Sequence, residues 1–135
     1  MSGRPRRLLA ALAAMLVIAA CTRAPYLLVC NRTDVLLTIR RTPPYEADFT
    51  IAPGAIARLR FPDSMRLEVA AGMATWRYAV AFPPRELARW TTLGTPEFRL
   101  QVEPDGRVYV LPPDATPPVR ELPPQPPGFP LVPES

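Results

Sequence analysis

The chain has 135 residues, a formal charge of +4 and no histidine. All 16 basic residues are arginine, so Ser-His, Cys-His, Ser-Lys and Schiff-base chemistry lack a base or amine, and imidazole metal sites are excluded. Carboxylate-only catalysis needs two acids converging on a cleft, and Glu46 and Asp48, alternating beside a turn, read as a solvated edge. The expectation is a protein that is not an enzyme and needs neither cofactor nor metal.

In chain order, Arg4, Arg6 and Arg7 precede an apolar run from Leu8 to Val17, followed by Ile18-Ala19-Ala20-Cys21. Basic, apolar and small-residue segments in that order make a secretory signal, too short for a spanning helix. The last four residues resemble the lipobox of bacterial lipoproteins. That resemblance covers residues 1–21 only and implies that residues 1–20 are removed and Cys21 is acylated, becoming the first residue of the mature chain. Thr22 rather than Asp after the cysteine implies, by the sorting rule of enterobacterial lipoproteins, the outer membrane and a periplasmic face.

Residues 21–25 are then a lipidated terminus and a short tether. The four residues 22–25 span at most ~14 Å when extended, so the domain is expected to sit against its membrane. Arg23 lies close enough to meet anionic headgroups, which contributes about 1 kcal/mol. Loss of the signal leaves thirteen arginines against twelve carboxylates, a net side-chain charge of +1. The high pI therefore belongs largely to the signal, and no nucleic-acid partner is expected.

Residues 26–111 alternate apolar and polar positions with period 2, the pattern of strands that offer one face to a core. Eight strands are predicted, at 26–30, 35–40, 48–52, 55–61, 65–70, 74–82, 96–102 and 107–111. Turn signals separate several of them: Asn31-Arg32-Thr33-Asp34, Pro53-Gly54, Ala71-Gly72 and Pro104-Asp105-Gly106. The last reads as a hairpin loop joining 96–102 to 107–111. The one helix candidate is Pro84–Trp90, where proline suits a first turn; its shortness leaves a single turn or a loop bridging the two sheets as the other readings. Strand spacing and turn chemistry together predict an all-β domain, a small immunoglobulin-like sandwich of seven to eight strands.

Two features of this domain invite a functional reading. Arg58, Arg60, Arg66, Arg77 and Arg99 fall on outward positions, and pairing of the strands in order would align them into a stripe suited to anionic glycan or lipid headgroups. An ordinary solvated sheet face is the other reading. Cys30 is left without an obvious partner in an oxidising compartment, either as a buried thiol or as one half of a disulfide to another chain.

Residues 112–135 hold 10 of the 20 prolines and favour polyproline II, which at ~3.1 Å per residue reaches ~74 Å. The segment ends with Phe129, Leu131 and Val132 on a stiffened backbone. Three destinations are open to it: a partner-binding arm in which these residues make the contacts, a spacer, or a cover over a groove of its own domain. The expected whole is an envelope lipoprotein, membrane-bound through Cys21, with a non-enzymatic binding or structural role and a protein partner in the envelope.

Overall fold

The computed structural model describes residues 24–40, 48–60, 66–79 and 81–134. The signal, Cys21 and Glu46 lie outside them. Among the described residues there are nine strands: β1 (Tyr26–Asn31), β2 (Leu37–Arg40), β3 (Phe49–Ile51), β4 (Ile56–Arg60), β5 (Arg66–Ala71), β6 (Ala74–Ala79), β7 (Arg89–Trp90), β8 (Pro96–Val102) and β9 (Val108–Leu111). They form two sheets. One has the order β4-β1-β8, with β7 and β9 both on the remaining edge of β8; the other runs β3-β2-β5-β6. The predicted all-β sandwich is the observed one.

The alternation works as anticipated. Leu27 and Val29 of β1, Leu37 and Ile39 of β2 and Phe98, Leu100 and Val102 of β8 all turn inward to one apolar core between the sheets. Each such side chain, fully buried, contributes about 1.5–3 kcal/mol. Asn31 closes one end of the sandwich. Its Nδ2 donates to the carbonyls of Val35 (2.8 Å) and Ile51 (2.9 Å), while its Oδ1 accepts from the Thr33 backbone (2.9 Å) and hydroxyl (2.6 Å). A fully buried amide is tolerated there because all its hydrogen-bonding capacity is used. The loop 103–107 is the predicted hairpin, with Gly106 donating to the Glu103 carbonyl at 2.9 Å.

Two points differ from the sequence reading. Of the readings open for 84–90 the single turn is the one observed, a 3-10 turn over Arg85–Leu87, and Arg89–Trp90 become a strand that was not expected, β7, paired with Glu97 and Pro96. Seven residues are too few to hold a helix in water, and the open edge of β8 offers the backbone partners instead. The second point is pairing. β1 runs parallel to β8, matching Tyr26 with Glu97 through Asn31 with Val102, while every other strand pair is antiparallel.

The proline-rich segment does not project from the domain. It crosses the outer face of the first sheet, where the Arg99 guanidinium donates to the Ala115 carbonyl. The Gln101 amide clasps Val119, donating to its carbonyl at 3.0 Å and accepting from its N–H at 2.8 Å. The chain then returns along β9. Gln125 repeats the device in reverse, its amide accepting from the Val110 N–H (2.8 Å) and donating to the Val110 carbonyl (3.0 Å). Leu131 completes the edge by exchanging two 2.9 Å backbone bonds with Val108. Finally Glu134 donates its N–H to the Arg77 carbonyl of β6 at 2.7 Å. The segment is thus a strap from the edge of one sheet to the edge of the other, and it satisfies the outward N–H and C=O groups of Val108 and Val110 that an open edge would expose.

Candidate functional site

Strand order decides the fate of the five arginines expected in one stripe. Arg58 and Arg60 lie on β4 and Arg99 on β8 of the first sheet, whereas Arg66 and Arg77 lie on β5 and β6 of the second. The two outer faces point away from each other, so no single stripe exists. Arg99 is also taken up by the strap, its Nε buried beneath it without a hydrogen-bond partner.

What the first sheet does assemble is a row at the end where β1 begins. Register places Arg60, Tyr26, Glu97 and Arg89 side by side across β4, β1, β8 and β7. The Arg58 guanidinium lies over the Tyr26 ring at 3.9 Å and pairs with Glu97 at 3.3 Å; that of Arg60 lies 5.2 Å from the same ring. Cation–π contacts at exposed positions hold such guanidinium groups for about 0.5–1 kcal/mol each. Arg89 belongs to this row through a two-residue strand that no sequence pattern marks, which is why it is absent from the expected stripe.

On the second sheet, Glu68 sits between Arg40 (3.0 Å) and Arg77 (3.4 Å). With Arg66, Tyr78 and Glu134 they line an open cleft of about 340 Å³. Glu134 of the strap therefore lies at this cluster, its N–H bonded to the Arg77 carbonyl.

Phe129, Leu131 and Val132, expected to contact a partner, are divided. Phe129 and Leu131 pack against the domain's own core, and only Val132 is exposed. This corrects the arm reading for the first two: of the three destinations, the fold uses these side chains for its own cover. The stiff backbone lowers the entropy cost of that docking as it would lower the cost of docking elsewhere.

Cys30 lies on the outer face of the first sheet, beside Gln101 in register, and is fully buried together with Gln101 and Leu111. That face has no second sheet against it; its cover is the strap, of which Pro117 is buried as well. Burial pushes the thiol pKa up, the Glu103 carboxylate adds to the rise, and Arg32 opposes it. Glu103 itself is held by Arg32 at 2.5 Å. No group of three or more histidine, cysteine or carboxylate side chains is placed to hold a metal among the described residues. Set against protein families, curated proteins and solved structures, the chain finds no match.

Proposed function

We propose that the chain is a membrane-anchored envelope lipoprotein, acylated at Cys21 and held on the outer membrane facing the periplasm, with a non-enzymatic binding or structural role. The observation that carries this reading is the order of basic Arg4–Arg7, apolar Leu8–Val17 and Ile18-Ala19-Ala20-Cys21, and the short path from there to the fold sets its geometry. β1 starts at Tyr26, five positions after Cys21, so the end of the sandwich carrying Arg58, Arg60 and Arg89 stays at the bilayer surface. The strap supports a structural role as well, because residues 112–134 are spent on covering the sheet and edge of their own domain.

The test is the intact mass of protein purified from envelope membranes. It should lack residues 1–20 and carry acyl chains, and Cys21→Ser should move the protein to the soluble fraction. A wild-type chain recovered unacylated in the soluble fraction overturns the proposal. In-cell crosslinking of the acylated form then identifies the envelope partner.

The cleft of Arg40, Arg66 and Arg77 favours a second reading, an anionic glycan-binding module. Binding of an acidic oligosaccharide that weakens steeply with salt and is lost in Arg66→Ala supports it. Binding indifferent to both speaks against it.

A further inference from the structure

β8 runs parallel to β1, so the hairpin that precedes β8 projects from the end of the sandwich where the chain enters from Cys21. The hairpin is tightly built. Thr91 donates its N–H to the Thr95 carbonyl (3.0 Å), Gly94 donates to Thr91 (3.0 Å), and the Thr91 hydroxyl accepts from the Thr95 N–H (3.1 Å). Gly94 takes φ +76°, which the turn needs and which a side chain would resist. This rigid tip displays two large apolar side chains to solvent, Trp90 at 52% exposure and Leu93 at 78%. Apolar side chains gathered at one tip with cationic neighbours, rather than scattered singly, are the pattern that marks an interaction surface.

Four arginines flank the tip. Arg60 and Arg89 stand in the row described above, Arg58 lies over Tyr26, and the Arg85 guanidinium lies 6.0 Å from the Trp90 ring. Among the described residues around them, Glu97 is paired with Arg58 and Glu86 is exposed. The opposite end of the sandwich makes the contrast. It also exposes apolar groups, Leu36, Ile56 and Met73, but its arginines are matched one to one, Arg32 by Glu103 and Arg107 by Asp105.

We propose that the β7–β8 hairpin is a membrane-docking tip: Trp90 and Leu93 enter the headgroup region of the anchoring bilayer while Arg58, Arg60, Arg85 and Arg89 engage anionic headgroups. The residue types fit that interface. Tryptophan settles at the boundary between headgroups and acyl chains, and arginine lays its stem on apolar surface while its fork meets phosphate. The distance fits too, since the tether of residues 22–25 holds this end within ~14 Å of the acylated cysteine. The proposal rests on the anchor reading for its choice of surface. Its consequence is orientation: the domain stands end-on with the Leu36–Met73 end directed away from the membrane.

The test uses protein purified from envelope membranes and reconstituted into vesicles, either of phosphatidylcholine alone or with phosphatidylglycerol added. Trp76→Phe leaves Trp90 as the single tryptophan. Brominated phosphatidylcholine should quench Trp90 in the anionic vesicles, and each of Arg60→Ala, Arg85→Ala and Arg89→Ala should shift the docked fraction about fivefold toward undocked. A nitroxide on Leu93→Cys provides a reading independent of Trp76, because Cys30 is fully buried. The label should collide with oxygen in the lipid more than with a water-soluble nickel complex.

A Trp90 that stays unquenched with a Leu93 label open to nickel overturns the proposal. Quenching of equal extent in neutral vesicles overturns the assignment to anionic headgroups. Intact mass reports acylation separately, so loss of the anchor reading is distinguished from failure of the tip.

Discussion

Removing the Phe129 ring tests whether the proline-rich segment is part of the fold. Phe129 is partly buried on the rim of the core, next to Leu131, whose backbone is paired with Val108. Truncating a fully buried phenylalanine to alanine costs about 3–5 kcal/mol, so a half-buried ring should cost roughly 1.5–2.5 kcal/mol. For a domain of this size that lowers Tm by roughly 8–12 °C. The strap should stay in place in the variant, because the Gln125–Val110 and Gln101–Val119 clasps are untouched.

Urea unfolding followed by circular dichroism reads the difference, with Val132→Ala as the control. Val132 is 56% exposed, and its truncation should change stability by less than about 0.5 kcal/mol. A Phe129→Ala protein melting within about 2 °C of wild type would refute the reasoning. The ring would then not be held by the domain, and the segment would act as an arm after all. A chain ended after Leu111 carries the same logic further. It uncovers Cys30, Gln101 and Leu111, which are now fully buried, and should be recovered aggregated or not at all.

Gly106→Ala should destabilise by more than about 2 kcal/mol on unfolding titration, since strain and overpacking add. Its φ is +85°, and a Cβ there would come within 2.8 Å of both Pro133 and the Trp76 ring. Gln101→Ala removes both bonds to Val119, and the strap around residues 115–120 should be cut by protease well before the sandwich, a difference that limited proteolysis with mass analysis detects. The thiol of Cys30 should resist alkylation at pH 8 in the native state and react once the protein is unfolded. The sign of its linkage follows from the raised pKa. An unfolded thiol ionises near ~8.5 while the folded one stays protonated, so its contribution is complete below that pH and falls as pH rises through the folded value. Cys30→Ala should flatten that alkaline decline.

Much of the architecture is legible one residue at a time. The alternation Val35–Arg40 and Phe98–Val102 marks the faces that enter the core, and β8 ends where the sequence reading placed it, because side-chain direction along a strand is a local property. The loop 103–107 is likewise local, its glycine meeting a requirement set by neighbouring residues. The segment 84–90 is ambiguous in sequence for a related reason. Proline and a three-residue apolar spacing describe a helix start as well as a 3-10 turn, and only the open edge of β8 chose between a helix and β7.

By itself, the sequence determined the exclusion of imidazole and lysine chemistry and an all-β chain whose strands carry one apolar face each. Tertiary structure alone decided which strands are neighbours. The parallel pairing of β1 with β8 joins residues about seventy positions apart, and no local pattern encodes it. That pairing places the Trp90–Leu93 tip beside the entry of the chain, while β4 on β1, and β5 on β2 and β6, put Arg58 and Arg60 on a different sheet from Arg66 and Arg77. The sheet order also leaves β9 at an edge whose outward N–H and C=O groups bind the proline-rich segment, for which composition alone leaves arm, spacer and cover open. Periodicity fixes which way a side chain points. Its neighbours are set by backbone hydrogen bonds between distant segments, and a function built from several strands exists only once those are made.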